Sequence, residues 1–398
     1  MGLMKRFLIV HYSEIGLKLG NTSYFLSKLR HALKIRLEKK FRKTFSVIHV
    51  LKRFMIGLPD NFDELEYSNV LQKIFGIKNF KFVYEGFVDA KKLGNQIWEN
   101  LPKYVFDVSK KPKSFRVKVK RSMILPYKSF EMERDLGAIL IDKGLDIKVN
   151  LTEPEFVVDV EFFDNYGYFS FKKYAGAGGL PSNSQSKLVA LLSAGFDSPV
   201  AAYQMMRRGA RVIFVHFHGY PYTGKEEVEQ VEDLVKILSG YQFDTKLYLV
   251  PYGKVQREIA TNLDVPAKIR TVLYRRIMIR IAEEICKKEK AKGLVTGDNY
   301  GQVASQTPEN IFVIQEVSSV PIFTPLISFD KEDIIKIARK IGTHDISMLP
   351  CKDTCTMFAP KTPELKANVR NVLGYEKKID VEKLVNEVLS GCEVKYFS

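Results

Sequence analysis

The stretch Leu188-Val189-Ala190-Leu191-Leu192-Ser193-Ala194-Gly195-Phe196-Asp197-Ser198 passes from an apolar run into small residues and then into Asp-Ser. A helix-like stretch from Pro199 to Arg208 follows. The order reads as a buried strand, a tight turn and a helix start. Ser193, Ala194 and Gly195 carry too little side chain to block a close ligand. Ser198 then Pro199 fits an N-cap and a first helical position. Free backbone N–H groups at such a turn, with the helix dipole behind them, suit a phosphate or pyrophosphate. Over so short a span, an ordinary strand–turn–helix of an α/β domain looks the same.

Working outward, strands at Leu188–Leu192, Val212–Phe217, Leu247–Val250 and Leu294–Thr296 alternate with helices that include Pro199–Arg208, Glu226–Ser239 and Thr271–Lys288. That alternation predicts a parallel, doubly wound sheet. Ligands of such sheets lie beyond the C-terminal strand ends, where Ser193–Ser198, His216–Gly219 and Gly297–Asn299 fall. Upstream, the pattern changes. Strand Phe7–His11, helix Tyr24–Lys40, strands Ile48–Leu51 and Phe54–Gly57, helix Asn61–Phe75 and strand Phe80–Tyr84 give a β-α-β-β-α-β order, which suggests a ferredoxin-like α+β module. A second α+β unit follows, with helices Leu93–Tyr104 and Phe130–Lys143, strands Ser114–Lys120, Lys148–Leu151 and Phe156–Phe162, and a hairpin return over Tyr166–Phe171. The Gly-rich stretch Tyr174–Ser186 reads as the linker.

The 398 residues allow two or three domains. Net charge is +16, and it is uneven: residues 1–180 carry 32 Lys+Arg against 20 Asp+Glu, and residues 181–398 carry 30 against 26. A basic front half on a nearly balanced α/β half points to a polyanion, nucleic acid first. Four cysteines, Cys286, Cys351, Cys355 and Cys392, make no secreted-type framework at this length. Neither a signal peptide nor an apolar run of membrane-spanning length is present, so the chain reads as soluble and cytoplasmic, without a membrane partner.

Several residues carry chemistry. Asp197 beside a phosphate chain needs a reason, and bridging Mg2+ would supply one; no protein cluster otherwise resembles a metal site. Of Arg275 and Arg276, adjacent on a helix, one can reach inward, while Arg280 reads as solvated. The polar loop Gly297-Asp298-Asn299-Tyr300-Gly301-Gln302-Val303-Ala304-Ser305-Gln306-Thr307 follows a strand. Its Gly297 permits close approach, and Gln302, Ser305 and Gln306 can orient a ligand. Cys351 and Cys355 form a C-x3-C pair that could make a disulfide, bind metal or relay sulfur, with Lys352 and Lys361 favouring a thiolate. Cys286 and Cys392 read as structural. The strand Phe115-Arg116-Val117-Lys118-Val119-Lys120-Arg121 has one cationic face, and with Lys18 and Lys128 it could follow an RNA backbone.

The loop lacks the Lys of a GxxxxGK[ST] motif. It resembles the PP-loop, usually SGGxDS, with Ala194 in place of the first glycine. Together with Tyr12-Ser13-Glu14-Ile15-Gly16-Leu17-Lys18, the Phe115–Ser122 strand, His216-Phe217-His218, the Gly297–Thr307 loop and Cys355 with Pro360-Lys361, the chain resembles the ThiI family of tRNA 4-thiouridine synthetases over nearly its whole length. The resemblance implies a ferredoxin-like domain (1–80), a THUMP RNA-binding domain (81–174) and a PP-loop adenylating domain (175–398). It implies that Leu191, Leu192, His216, Phe217, Arg275, Gly297 and Gln306 surround ATP, with Ser193, Ala194, Gly195, Phe196 and Ser198 in the loop and Asp197 as its essential acid. It implies tRNA as substrate, a cysteine desulfurase as sulfur donor, and a role in thiamine biosynthesis. A C-terminal rhodanese domain, present in some members, does not fit before Ser398. Cys355 matches the family's cysteine in the PP-loop domain, and Cys351 is its local candidate partner.

Other readings stay open. A PP-loop ligase acting on a small molecule would explain Ser193–Asp197 but not the basic half. A binding-only RNA protein would explain the charge but not the loop. An Fe–S cluster on Cys351, Cys355 and a distant third cysteine is a further variant, and a homodimer is one oligomeric state the sequence leaves open.

Overall fold

In a computed structural model, which describes residues 4–17, 20–350, 358 and 360–397, the chain divides into two units, Met1–Leu180 and Pro181–Ser398. The first begins with β1 (Arg6–Tyr12), α1 (Thr22–Phe41), β2 (Val47–Val50), β3 (Arg53–Gly57), α2 (Glu64–Leu71) and β4 (Ile77–Gly86). The strand order β2-β3-β1-β4 is antiparallel throughout, the ferredoxin-like arrangement. Phe25, Leu29, Leu33 and Leu37 recur at helical spacing and are buried, which seats α1 on the sheet. α2 is shorter than its apolar pattern predicts. It starts where the Asp63 carboxylate accepts from the Leu65 and Glu66 amides, and it stops short of Gly76, whose φ of +96° turns the chain into β4.

The same sheet continues through α3 (Ala90–Glu99), β5 (Ser114–Arg121), α4 (Ser129–Asp142), β6 (Lys148–Val149), β7 (Phe156–Phe163), β8 (Tyr166–Ser170) and β9 (Tyr174–Ala175). Asp164 and Asn165, both at positive φ, make the two-residue turn between β7 and β8. β8 then pairs with β4 and joins the two modules into nine strands. On β5, Phe115, Val117 and Val119 enter the core with Leu136 and Leu140 of α4. Lys81, only 1% exposed, donates to Asp159 and Glu161, and Arg53 donates to Glu161 at 2.8 Å. Burial pushes the Glu161 carboxyl upward, but His11 and Lys81 outweigh it and hold it far below the usual carboxylate range.

The Tyr174–Ser186 stretch is more structured than a linker. Tyr174–Ala175 is an edge strand on β4, and a Cβ on Gly176 would stand 2.3 Å from the Ile77 carbonyl. Farther on, the Ser182 hydroxyl donates to the Tyr241 carbonyl and the Gln185 amide to the Gly209 carbonyl. Backbone approach, rather than freedom, explains Gly176, whereas Gly178 and Gly179 take positive φ.

The second unit contains β10 (Lys187–Leu191), α5 (Asp197–Arg207), β11 (Arg211–His218), α6 (Glu226–Ser239), β12 (Thr245–Pro251), α7 (Gly253–Thr261), α8 (Arg270–Lys288), β13 (Leu294–Val295), α9 (Pro308–Gln315), β14 (Ile322–Phe323), α10 (Lys331–Ile341), α11 (His344–Ser347), α12 (Val369–Glu376), α13 (Val381–Ser390) and β15 (Glu393–Phe397). The sheet runs β14-β13-β10-β11-β12-β15; all pairs are parallel except β12 with β15. From β10 the chain proceeds outward through β11 and β12. It then crosses by α8 to β13 on β10's other side. The topological switch therefore falls between β10 and β13, the position where such sheets open a ligand crevice.

Candidate functional site

The crevice is a cleft of about 300 Å³ at that switch. Its walls include Leu191, Leu192, Ser193, Asp197, Ser198, His216, Phe217, Arg275, Gly297 and Gln306, ten of the expected site residues. Ala194, Gly195 and Phe196 form the turn itself and do not line the cleft. Helix α5 begins at Asp197, so Ser198 is inside the helix and is not its cap. Its hydroxyl instead accepts from the Ser193 amide at 2.8 Å and lies 3.1 Å from the Ser193 hydroxyl, drawing the turn closed across five residues.

Gly297 faces that turn. A Cβ there would stand 2.8 Å from the Ser198 nitrogen and 3.0 Å from the Ser198 Cα. Only hydrogen fits between the β13 loop and the start of α5. His216 is buried at the end of β11, and its Nδ1 lies 2.9 Å from the Leu192 carbonyl, so Nδ1 donates. Burial pushes the imidazole down to about 4, against a smaller upward pull from that bond. His216 is thus neutral, and its Nε2 is an acceptor with no partner among the described residues.

On α8, Arg275 reaches the cleft, donating to Asp298 at 2.6 Å and to Ser305 at 3.3 Å. Asp298 also accepts from Thr296 and Gln306, so one buried carboxylate organises the loop. Neighbouring Arg276 points the other way, fully buried against Glu376, Glu316 and the Val313 carbonyl. Arg280, expected to be solvated, also pairs with Glu376, because α12 brings that carboxylate under the helix. At the cleft mouth, Lys331 at the start of α10 donates to both Asp197 oxygens, and Gln302 approaches them at 3.4 Å.

Cys351 and Cys355 lie outside the described residues, as does Lys18. The chain on either side of the cysteines is described and is tied to residues that neighbour the cleft in sequence or pack beside it. On the incoming side, Ser347 donates to the Gly195 carbonyl, and Gln230 of α6 donates to the Ile346 carbonyl. On the outgoing side, Phe358 meets Tyr222 edge-on, and the Leu365 carbonyl accepts from Thr307. Burial raises the thiols of Cys286 and Cys392, the latter to about 11, which disfavours the thiolate at both. In the first unit Lys118, Lys120, Arg121 and Lys128 are exposed. Arg116 is not free, since it donates to Glu133 and to the Leu151 carbonyl.

Asp298, Thr296, Lys331 and the Thr271–Tyr274 wall were not singled out from sequence. Asp298 was within reach, as a buried-side carboxylate two residues past a strand end and facing an arginine-bearing helix. Lys331 carried no signal at all.

A doubly wound sheet with a small-residue strand–turn–helix at its switch point, and an arginine facing it, defines a nucleotide-binding α/β protein of the PP-loop class. The family described as thiamine biosynthesis protein (ThiI) matches residues 183–381, the ThiI ferredoxin-like domain 7–80 and the THUMP domain 90–171. A "probable tRNA sulfurtransferase" of Alkaliphilus oremlandii is 36% identical, covering 99% of each chain. One of Thermus thermophilus is 37% identical over 98% of this chain and 94% of its own. A solved 4-thiouridine synthetase–RNA complex with bound ATP is 32% identical, with a TM-score of 0.87 and full coverage of both chains. A Pyrococcus horikoshii protein shares the fold at a TM-score of 0.61, covering 85% of this chain and 99% of its own, at 20% identity. The chain belongs to the ThiI family. Among the described residues no helix is long and apolar enough to cross a membrane.

Proposed function

We propose that this chain is an ATP-dependent tRNA sulfurtransferase that converts a uridine to 4-thiouridine. The cleft carries the reading: the Ser193–Ser198 turn offers backbone donors to phosphate, Arg275 adds positive charge, and His216 adds a neutral acceptor. The exposed Lys118, Lys120, Arg121 and Lys128 of the THUMP-matching region supply phosphate-backbone contacts. Residues 1–80, 81–174 and 175–398 act as ferredoxin-like, THUMP and adenylating modules.

The C4 oxygen of the target uridine attacks the α-phosphate of ATP. Pyrophosphate leaves, and the oxygen becomes part of an AMP leaving group. A persulfide on one cysteine, Cys351 or Cys355, attacks C4, and AMP departs with the C4–O bond electrons. The second cysteine's thiolate attacks the first cysteine's own Sγ, and the bond from that Sγ to the transferred sulfur breaks. A Cys351–Cys355 disulfide forms and 4-thiouridine is released. An external dithiol reduces the disulfide, and a cysteine desulfurase reloads the persulfide. Asp197, with Lys331 and Gln302 on it, holds the polyphosphate end of the cleft. Among the described residues no three His, Cys, Asp or Glu groups gather to hold a metal. Magnesium would arrive with the triphosphate, where it would shield phosphate charge, with Asp197 offering it one carboxylate.

The test is unmodified tRNA with ATP and a persulfide donor. The expected product is near-ultraviolet-absorbing thiouridine, lost with Cys351→Ser and with Cys355→Ser. Pyrophosphate release that proceeds equally without RNA would support a small-molecule ligase instead.

A further inference from the structure

Asn310 lies on α9, one turn beyond the cleft loop, and is 0% exposed. Its amide nitrogen has two hydrogens, and each goes to a different segment. One is donated to the Ala304 carbonyl of the cleft loop at 2.7 Å, the other to the Glu364 carbonyl at 2.7 Å. Its amide oxygen accepts from the Ala367 amide at 3.0 Å. Both donors and an acceptor are spent on backbone, so the side chain has one orientation. Thr307 adds a second stitch, donating to the Leu365 carbonyl at 2.7 Å while accepting from the Asn310 amide at 3.3 Å. The segment so held, Glu364–Ala367, is the chain leaving Cys355. Glu364 is also tied to Lys268, just before α8, by a backbone bond and an ion pair, both 2.9 Å.

The cleft loop has holds of its own. Arg275 reaches Ser305, Gln306 reaches Asp298, and the Gly301 amide donates to the Gln306 carbonyl. The clamp is therefore surplus to shaping the nucleotide cleft. What it adds is a fixed relation between that cleft and the outgoing chain.

We propose that Asn310, supported by Thr307, is a positioning residue that couples the adenylation cleft to the sulfur-bearing cysteines. The inference rests on the sulfurtransferase reading. Adenylation joins uridine to AMP within the cleft and needs no cysteine. Sulfur attack at C4 needs the persulfide within near-attack distance, where about 1 Å of misplacement costs about a hundredfold. With the clamp loosened, the adenylated uridine waits, and water attacks C4 instead. AMP then leaves and uridine returns, so ATP is spent without product.

The experiment measures pyrophosphate released per 4-thiouridine formed, using full-length protein, unmodified tRNA transcript, ATP, a dithiol, and cysteine with a cysteine desulfurase. Wild type is expected near one. Asn310→Ala is expected at ten or more, with pyrophosphate release within threefold of wild type. Thr307→Ala, a milder loss that also covers the case of an insoluble Asn310 variant, is expected near three. Thr307→Ser, which restores the hydroxyl, is expected back near one. A ratio near one in the alanine variants overturns the coupling, whether both steps fall together or neither changes. Wild type that releases pyrophosphate but makes no thiouridine overturns the functional reading itself.

Discussion

Lys331 Nζ stands 2.6 and 2.8 Å from the two carboxylate oxygens of Asp197, joining the first residue of α10 to the first residue of α5. Both side chains are partly exposed, so the pair is worth at most about 1 kcal/mol to folding. Its value is in the site. Asp197→Ala is expected to cut pyrophosphate release at least a hundredfold, and Lys331→Met at least tenfold. Urea unfolding midpoints should barely move, and RNA affinity should stay within twofold. A loss of activity that tracks a loss of stability would contradict this assignment.

Gly297→Ala tests the close approach of the β13 loop to α5. The added carbon would meet backbone atoms of Ser198 at 2.8 and 3.0 Å, and backbone cannot rotate away. Overpacking of this kind costs about 1–3 kcal/mol. Since the displaced atoms belong to the turn proposed to face phosphate, nucleotide affinity is expected to fall by more than tenfold. Calorimetric titration with a non-hydrolysable ATP analogue checks it. Unchanged affinity would place the phosphate elsewhere.

The architecture was legible because its signals are local. Phe115, Val117 and Val119 alternate with Arg116, Lys118 and Lys120, and the small residues after Leu192 announce a turn whatever lies around them. Distance hid the rest. Lys331 is one of 62 Lys and Arg, and nothing near it in the chain says that α10 returns to a carboxylate 134 residues earlier. Arg280 was misread because Glu376 reaches it from α12, and the pairing of Arg116 with Glu133 was hidden because Glu133 reaches it from α4. Asn310 reads as an unremarkable polar residue in a short apolar helix until three backbone groups from two segments converge on it.

His216 gives a pH signature. In the native chain burial holds it to about 4, against an ordinary 6.5. Between those values the unfolded chain takes up a proton that the native cleft refuses. The stability tied to this group is complete above pH 6.5 and is lost as pH falls toward 4, in total about 3 kcal/mol. His218, also pushed down by burial, works in the same direction. The carboxyls held low, Glu161 and Glu376, add their own loss only once pH falls into the ordinary carboxylate range, below about 5. Urea unfolding of His216→Asn should show a shallower slope of stability between pH 6.5 and 4.5 than wild type. An unchanged slope would mean that His216 is not neutral when folded.

Lys81 tests the charged core of the RNA-side unit. Its ammonium meets Asp159 and Glu161 at 2.5 Å with almost no exposure. Lys81→Met leaves Glu161 to Arg53 and His11 and takes the directly bonded ammonium away from Asp159. Removing one partner of a buried ionic cluster costs about 3–5 kcal/mol. The expected result is a first unit that unfolds at lower urea while pyrophosphate-forming residues of the second keep their nucleotide affinity. Restoring stability by Lys81→Met with Asp159→Asn would confirm that the cost is uncompensated charge.

Lys120 and Arg116 sit on the same strand and should behave oppositely. Lys120 is exposed and crowded by its own sign: burial first, then Lys120 and other cations, push the neighbouring Lys173 ammonium down. A phosphate placed there relieves the crowding, and each such contact steepens the dependence of log affinity on log salt by about 0.7–0.9. Lys120→Ala should weaken tRNA binding and flatten that slope by about one such step. Arg116 spends its guanidinium on Glu133 and the Leu151 carbonyl, while Glu133 also accepts from the Val119 amide at 2.8 Å. Arg116→Ala should therefore leave the salt slope unchanged and instead lower stability by about 1 kcal/mol, the usual worth of such a bond. Filter binding across a salt series, paired with urea unfolding, separates the two. An equal flattening by both variants would mean that Arg116 leaves Glu133 for phosphate when RNA arrives.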